Sequence, residues 1–355
     1  MSIDVAQIID IMSGFFLREP YLVVFELFII VGWAIISGLL LYVGINFYQE
    51  YRENKYTANW NPVLLAVDVP LENVQTPKAV EQMFSHLAGA FDKPDIANYF
   101  RGGYKQRCFS FEIISIEGYI QFLIWTEDTF RDLVEASVYA QYPDADIIEI
   151  EDYVSIDNIK FPNDEYDMWA GDFTLAEHEA YPIRSYTEFE HNISKDTVLK
   201  DPMGTFLESF TRIGPGEQMW FQIIIEPTSN SWKEGAINKI KEIIGDSSLK
   251  KGGKGLSMPK EFGKSFEEIS AQILGGVRAE GGDSGDNKSD EPNQIRYLTP
   301  GQSKLVEAME EKISKIGFKT KMRSVYLARK EVFRPVRGVN ALIGAINQFN
   351  IPTAN

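Results

Sequence analysis

The sequence is poor in cysteine and histidine, the residues that most often build covalent cross-links and metal centres. Cys108 is the single cysteine in 355 residues, so the chain can form no internal disulfide and no thiolate metal cluster of its own. Cys108 opens an apolar strand pattern, which favours a small buried side chain over a reactive thiol. The histidines His86, His178 and His191 lie in unrelated contexts and show no HExxH spacing. We therefore expect no metal site and no cofactor.

Motifs of nucleotide binding and of nucleophilic catalysis are also missing. Residues 263–265, with the sequence GKS, resemble the end of a phosphate-binding loop, but Met258 replaces the leading glycine that such a loop needs. No GxSxG elbow occurs, and alternating carboxylates such as Glu149 and Glu151 are typical of the outer face of a strand. The sequence therefore predicts a protein that is not an enzyme.

Positive charge is scarce, because 51 acidic residues outnumber 35 Lys and Arg and leave a net charge of −16. The excess is uneven: residues 144–196 hold fifteen acidic and three basic residues, whereas residues 296–337 hold eleven basic and four acidic ones. The acidic segment would repel nucleic acid and anionic membranes, so we expect no direct binding to nucleic acid. For both segments the ordinary alternative is a solvated surface.

Against these absences stands one long apolar run, residues 21–45, which carries a single charge at Glu26. A helix of this length covers the hydrocarbon core of about 30 Å at about 1.5 Å per residue. A buried helix of a soluble domain would normally be shorter and show a polar stripe. We predict a transmembrane anchor at residues 21–48. Within it, Ala34 and Gly38 are spaced as a helix–helix contact, which makes a homo-oligomer a candidate assembly.

The flanks of the anchor indicate its topology. Residues 1–20 place polar side chains at every third position among apolar ones, a pattern typical of a short helix in the membrane interface. The acidic leader and the length of the apolar run argue against a cleaved signal peptide. Arg18 lies before the anchor and Arg52 and Lys55 lie after it, which leans toward a cytoplasmic C-terminal portion. We predict a single-pass protein of the inner membrane with cytoplasmic soluble domains.

After a polar connector at residues 49–62, the periodicity predicts α+β structure. Residues 60–155 show the order strand, helix, strand, strand, helix, strand of a ferredoxin-like unit, with a hairpin turn at Gly118. Residues 165–350 predict a second module, in which residues 219–227 form the most apolar strand and therefore an internal one. The fold prediction is α+β, with one N-terminal transmembrane helix followed by two ferredoxin-like (βαββαβ-type) modules.

The second module contains a low-complexity stretch at residues 245–293. Clustered Gly, Ser, Asp and Lys without a sustained period predict a long flexible insertion. Within it, residues 259–276 place apolar side chains on one helical face, which predicts a tethered amphipathic helix. Past the insertion, Thr299 and Pro300 are typical of the start of a helix.

The last predicted strand combines basic and apolar residues of one parity. Lys319, Lys321 and Arg323 share their face with Val325 and Leu327, so either a bulge separates the two parts or the basic part projects past the sheet edge. The candidate contacts for phosphate, lipid or another anionic partner are Lys319, Lys321, Arg323, Arg329, Lys330, Arg334 and Arg337. A solvated strand end is the ordinary alternative.

Several segments together carry a family resemblance. They are residues 65–70, 76–87, 140–145 (AQYPDA), 201–204 (DPMG), 217–227 and 323–350. They resemble the membrane-anchored N-terminal region that precedes the motor in bacterial relatives of the traffic ATPases of type IV secretion and conjugation. The resemblance implies a membrane-tethered platform in a transfer complex, with hydrolysis performed by a separate ATPase or motor domain. Because no motor follows before Asn355, we expect a stand-alone subunit, a split gene product or a truncated piece.

The function prediction is a non-enzymatic docking subunit of a type IV secretion or conjugative DNA-transfer apparatus. Its expected partners are the lipid bilayer and a separate ATPase or other secretion-complex subunits. Two alternatives stay open. A bitopic scaffold of type II secretion or type IV pilus assembly would have pilin and pilus-assembly genes as neighbours. An envelope lipid-interacting protein would bind anionic lipid through residues 319–337.

Overall fold

In the computed structural model, the chain is described at residues 20–70, 76–156, 160–191, 198–199, 202–245 and 298–355. The predicted interfacial segment at residues 1–20 and the predicted insertion at residues 245–293, with its amphipathic helix, fall outside these ranges except for Pro20 and Gly245. The strands are β1 (Pro62–Asp68), β2 (Phe109–Ile116), β3 (Tyr119–Glu127), β4 (Asp146–Ile150), β5 (Tyr166–Phe173), β6 (Glu190–His191), β7 (Val198–Leu199), β8 (Glu217–Pro227) and β9 (Phe318–Arg329). The helices are α1 (Pro20–Thr57), α2 (Pro77–Leu87), α3 (Arg131–Tyr139), α4 (Tyr153–Ile156), α5 (Pro202–Thr211), α6 (Trp232–Ile244), α7 (Pro300–Ser314) and α8 (Pro335–Ile346).

The predicted anchor is part of the longest helix, α1, which has 38 residues. At about 1.5 Å per residue it is roughly 57 Å long. The prediction of a connector at residues 49–62 is wrong for most of its length, since α1 continues to Thr57. The reason is local: residues 49–57 contain Gln, Glu, Arg and Lys, which favour helix, and no Gly or Pro interrupts the chain before Pro62.

Seven strands form one continuous sheet in the order β4-β1-β3-β2-β8-β9-β5, and every neighbouring pair is antiparallel. The predicted α+β class is therefore confirmed. The two predicted modules share this sheet, because β2 pairs with β8 from Phe109↔Ile225 to Ile116↔Gln218. As expected for its apolar sequence, β8 is an internal strand. Outside this sheet, β6 and β7 pair antiparallel with each other.

The turn between β2 and β3 shows how the local sequence sets the register. Ile116 pairs with Tyr119, which leaves Glu117 and Gly118 as a two-residue loop. Both have positive φ, 53° and 91°. Two central residues of this kind define the hairpin turn whose twist matches that of the flanking strands, so the hairpin predicted at Gly118 is confirmed.

Four helices cover the same face of the sheet. The helices α2 and α3 bury Leu87 and Val134 against β1, β2 and β8. The helices α5 and α8 bury Phe210 and Leu342 against β8 and β9. On β2, Phe109 belongs to the first of these clusters and Ile113 packs against the second. Since alternate residues of a strand share a face, both helix pairs lie on one side of the sheet.

A further pair, α6 and α7, packs on itself and on the loop before β6. Met309 and Ile313 of α7 meet Ile240 of α6 and Ala180 of the loop. The α7 helix starts where the sequence predicts, since the Thr299 side chain accepts from the backbone of Gln302 in a capping box. The loop is held further by the side chain of Asn355, which donates to the carbonyls of His178 and Tyr181, 3.1 Å away in each case.

Candidate functional site

The sheet face opposite the four helices carries a buried cluster of polar side chains. The short helix α4 begins above this cluster. After the edge strand β4 the chain enters α4, and Tyr153 lies over β2 and β8. Three strand spacings of about 4.8 Å separate β4 from β2. The chain between the end of β4 and Tyr153 therefore reaches from the edge of the sheet to its middle. The Tyr153 ring packs edge-on against Trp220, with centroids 5.0 Å apart.

Tyr153 closes a chain of hydrogen bonds that converges on one buried carboxylate, Glu112. The Tyr153 hydroxyl donates to Glu112 Oε2 at 2.6 Å, and Ser110 Oγ donates to Glu112 Oε1 at 2.7 Å. Gln222 Nε2 donates to the Tyr153 oxygen at 2.7 Å, and Arg323 Nε donates to Gln222 Oε1. Along the chain from Arg323 through Gln222 and Tyr153, every hydrogen bond is donated in the direction of Glu112. Each bond therefore polarises the next, and the chain connects the guanidinium to the carboxylate.

The electrostatics of this cluster follow from its burial. Glu112 and Tyr153 are each 6% exposed. Burial, reinforced by the charge of Glu112, raises the pKa of the Tyr153 phenol above its ordinary value. The phenol therefore stays protonated and remains a donor at neutral pH. A buried carboxylate without partners is costly, and Tyr153 donates one of the two hydrogen bonds that Glu112 accepts. Tyr153 therefore holds the segment after β4 on the sheet. We call Glu112, Tyr153 and Gln222 the clasp.

A cleft of about 190 Å³ opens beside the clasp. Its lining includes Cys108, Ser110, Glu112, Trp125, Tyr153 and Arg323. Burial raises the pKa of the Cys108 thiol, with a smaller contribution from Glu226. A thiol with a raised pKa is a poor nucleophile at neutral pH, and both Glu112 oxygens already accept hydrogen bonds. The arrangement is suited to holding two segments together, and the charged residues of the lining are Glu112, Asp152 and Arg323.

The predicted basic residues of β9 fall into two separate groups. The register with β8 runs one-to-one from Phe318 to Ala328, so no bulge separates the basic part from the apolar part. The neighbouring strand β5 ends opposite Met322, so Lys319 and Lys321 project beyond its end. Lys319 pairs with Glu226 at 2.8 Å and Lys321 with Asp172 at 3.0 Å. The bulge is therefore not observed, and the basic part stays paired with β8, at Glu226, Ile224 and Gln222.

The second group lies at the opposite end of β9. At about 3.3 Å per residue, Arg329 is roughly 33 Å from Lys319. Hydrogen bonding to Tyr166 raises the pKa of Arg329. Arg337 approaches the carbonyl of Arg212 at 3.5 Å, and the backbones of Lys330 and Arg334 donate to the Glu165 carbonyl and the Tyr326 hydroxyl. The seven basic residues therefore do not form one surface, and a role for either group stays a prediction.

The apolar helix offers an exposed surface for a bilayer. One helical stretch near the N-terminus, Val31–Thr57, is long and apolar enough to cross a membrane. Its large apolar side chains, including Trp33, Leu39 and Phe47, are exposed. Ala34 is exposed, and a Cβ added at Gly38 would meet nothing within 4 Å, so the predicted helix–helix contact has room and stays a prediction.

The C-terminal end of α1 is fixed to the first half of the sheet. The Arg107 guanidinium lies over the rings of Trp60, at 4.5 Å, and Tyr56, at 5.1 Å, and it pairs with Glu127 at the end of β3. Gly103 has φ of 72° and lies against the backbone of Arg52. These contacts join helix and sheet without a free linker.

No metal centre emerges among the described parts of the chain, where no three His, Cys, Asp or Glu side chains are placed to share an ion. His178 instead accepts a hydrogen bond from the Ala180 amide at 3.1 Å. The clasp residues Glu112, Tyr153 and Gln222 were not predicted from the sequence. The available signal was a charged residue inside the apolar run FSFEIISI and an amide inside MWFQIIIEP.

Comparison with known proteins places the chain in a family. The family described as a domain of unknown function (DUF8128) matches residues 70–355. This range begins after β1 and includes β2 to β9 and the whole clasp. Neither the curated proteins nor the solved structures contain a match to this chain. Since the matched range covers most of the sequence, the chain belongs to the DUF8128 family.

Proposed function

We propose that the protein is a single-pass membrane platform that docks other subunits and performs no catalysis itself. The observation that carries the proposal is the exposed apolar helix α1, joined to the folded sheet through the Arg107 cluster rather than through a free linker. A helix that exposes apolar side chains all round is stable when lipid surrounds it. A sheet fixed to such a helix keeps a defined orientation at the membrane, which suits the assembly of partners.

The apparatus in this proposal is related to type IV secretion or conjugative DNA transfer, at the inner membrane and with the sheet in the cytoplasm. The support is the sequence resemblance together with the basic residues Arg52 and Lys55, which lie directly after the apolar run. In such an apparatus a separate ATPase supplies the energy. The chain would bind it through protein–protein contacts.

The proposal also treats each half of the sheet as a ferredoxin-like module. In the first half, the order β4-β1-β3-β2 with one helix after β1 and one after β3 is that of the βαββαβ unit. In the second half, β5, β8 and β9 repeat the order of β1, β2 and β3, with α5 and α8 in the corresponding places. No strand in the described part of the second half corresponds to β4.

The outer strands are the best candidate docking surfaces. Within the described residues, β4 and β5 each have a neighbour on one side only. Ile148 on β4 and Met168 on β5 are exposed apolar side chains. An open edge with apolar side chains is a template for a strand of another chain.

The test uses the full chain purified from native membranes. After cross-linking, we expect the chain to co-purify with an ATPase, to stay in the membrane fraction at alkaline pH, and to show no ATP turnover when purified alone. Recovery in the soluble fraction, or robust hydrolysis by the purified chain, would contradict the proposal. Co-purification of pilus-assembly proteins instead of an ATPase would favour the bitopic pilus scaffold.

A further inference from the structure

The loop at residues 91–103 exposes apolar and aromatic side chains beside the end of α1. Ile96 is 80% exposed, Phe100 42% and Tyr99 41%. The rings of Tyr99 and Phe100 pack edge to face, with centroids 5.3 Å apart, so the loop presents them as one apolar tip. Such a tip costs free energy in water and is stabilised by an apolar environment.

The base of this loop is closed by hydrogen bonds. Gln106 Nε2 donates to the carbonyl of Ala90 at 2.9 Å, and the amide of Asp92 donates to Gln106 Oε1 at 3.1 Å. The Tyr104 hydroxyl lies 3.1 Å from the carbonyl of Asp92. Because both ends of the loop are held together, the tip projects from a fixed position rather than lying back on the sheet.

The position of the loop along α1 places the tip at the membrane interface. Residues 98–102 contact α1, and Gly103 lies against the backbone of Arg52. Tyr48 and Tyr51 are the last large exposed hydrophobic side chains of α1, and the helix rises about 6 Å from Tyr48 to Arg52. The headgroup layer on each side of the hydrocarbon core is about 5–7 Å thick. Arg52, and with it the loop, therefore lies at headgroup level.

We infer that the loop at residues 91–103 inserts its apolar tip into the headgroup region of the bilayer that α1 spans, as a second membrane contact. The inference rests on the proposed function, since it requires α1 to span. Tyrosines are typical of this depth, and Tyr48 and Tyr51 of α1 lie near it. A second contact would restrict the tilt and the rotation of the sheet relative to the membrane further than α1 does alone.

The apolar tip contacts lipid, and the charge of the lipid headgroups contributes little to this contact. In the loop, Asp92 and Asp95 balance Lys93 and Arg101. Insertion is therefore driven by the apolar and aromatic side chains, and we expect it in zwitterionic phosphatidylcholine as well as in anionic mixtures.

The test places one fluorescent label at a time on the full chain, reconstituted in phosphatidylcholine nanodiscs. The nanodiscs carry a lipid quencher near the headgroups to report on positions 96 and 336, or in the acyl chains to report on position 39. The labelled variants are Ile96→Cys, Leu39→Cys in the apolar part of α1 and Val336→Cys, all in a Cys108→Ala background. Val336 is the matched control because it is 74% exposed and starts α8 at the end of the sheet away from Arg52. We expect the label at 96 to be quenched at least about two-fold and the label at 336 to be unaffected.

The three labels separate the possible failures. If the label at 39 is quenched and the label at 96 is not, the loop contact is overturned while the anchor stands. If the label at 39 is not quenched either, the anchor and the proposed function fail together. Adding Phe100→Ser to the Ile96→Cys variant should reduce the quenching, and unchanged quenching would contradict the role of the aromatic tip.

Discussion

The two halves of the sheet repeat one order of strands and helices but are attached to different things. The first half, β1 to β4, holds α1 through the Arg107 cluster and carries the loop at residues 91–103. The second half, β5 to β9, carries the additional pair α6 and α7 at the sheet end where β8 meets β9. Under the proposed function, the first half would set the orientation at the bilayer and the second would add surface for partners.

The halves are nevertheless joined in the middle of the sheet by strand pairing and by side-chain hydrogen bonds. The pairing of β2 with β8 makes one hydrogen-bonded sheet, and Tyr153 binds Glu112 of the first half and Gln222 of the second. We therefore expect the halves to unfold together although their helices pack in separate clusters.

The largest effect is expected from truncating one aromatic core residue in each half. Phe109 and Phe210 are both fully buried, in the first and the second cluster. Phe109→Ala and Phe210→Ala should each lower the free energy of unfolding by about 3–5 kcal/mol, since lost burial and a residual cavity add. Hydrogen exchange of the full chain in nanodiscs should show faster exchange in β1 and β3 and in β5 and β9 for either variant.

A variant that accelerates exchange only in its own half would show two independent units and contradict the shared sheet. Val336→Ala is a suitable control. Its side chain is exposed at the start of α8, so exchange in both halves should stay unchanged.

The next effect concerns the joint that belongs to the first half alone. A Cβ at Gly103 would overlap the backbone of Arg52, and its φ of 72° is unfavourable for alanine. Gly103→Ala should destabilise the contact between the loop and α1 by about 1–3 kcal/mol. We expect faster exchange at residues 98–103 and at the end of α1, with β5 and β9 unaffected.

The matched control for this joint is Gly235→Ala in α6. A Cβ there meets nothing within 4 Å, and alanine should stabilise the helix by about 0.5–1 kcal/mol. If Gly103→Ala behaved like Gly235→Ala, the close approach of the loop to α1 would not exist in the protein.

An effect of similar size is expected at the clasp between the halves. Tyr153→Phe removes the donor to Glu112 and the acceptor of Gln222, and should cost about 1–3 kcal/mol in the free energy of unfolding. Tyr119→Phe is the control, because Tyr119 is 69% exposed at the β2–β3 hairpin. Denaturant unfolding in mild detergent measures both. Equal midpoints for the two variants would mean that the clasp does not hold the halves.

Alkaline pH tests the same clasp with a defined sign. The folded-state pKa of Tyr153 is raised above that of the unfolded chain, so its contribution is complete below about pH 10 and is lost as the pH rises further. The wild type should therefore lose more stability above about pH 10 than Tyr153→Phe does. A parallel decline of the two proteins would contradict the assignment.

What the sequence could predict was local. The hairpin at Gly118, the helix start at Thr299 and Pro300 and the apolar run of α1 follow from turn and capping residues and from hydrophobicity over a few turns. The polarity of residues 49–57 predicts a connector, but α1 extends to Thr57 because helix propensity decides when no Gly or Pro interrupts the chain.

What the sequence could not predict was contact between distant segments. The β2–β8 pairing joins strands about a hundred residues apart, and any antiparallel apolar strand would satisfy either edge. The clasp joins Glu112 to Tyr153 over 41 residues and Tyr153 to Gln222 over 69, so each polar residue looks like an isolated exception in its own strand or loop. Parity placed Lys319, Lys321 and Arg323 on one face, but only the register shows their acidic and amide partners.

The smallest expected effect comes from an ion pair that crosses between the halves. Lys315, at the end of α7, lies 3.3 Å from Glu81 of α2, whereas Lys319 and Glu226 pair at 2.8 Å inside the second half. Both pairs are partly exposed, so each should contribute less than about 1 kcal/mol.

Double-mutant cycles with alanine separate the two by their effect on cooperativity. If the halves unfold together, the coupling of Glu81 with Lys315 should appear as a shift of one shared transition, just as that of Lys319 with Glu226 does. If instead removing Lys315 splits the transition while removing Lys319 does not, the halves are held at their margins as much as through β2 and β8. The shared sheet would then be no stronger a connection than the contacts at the margins.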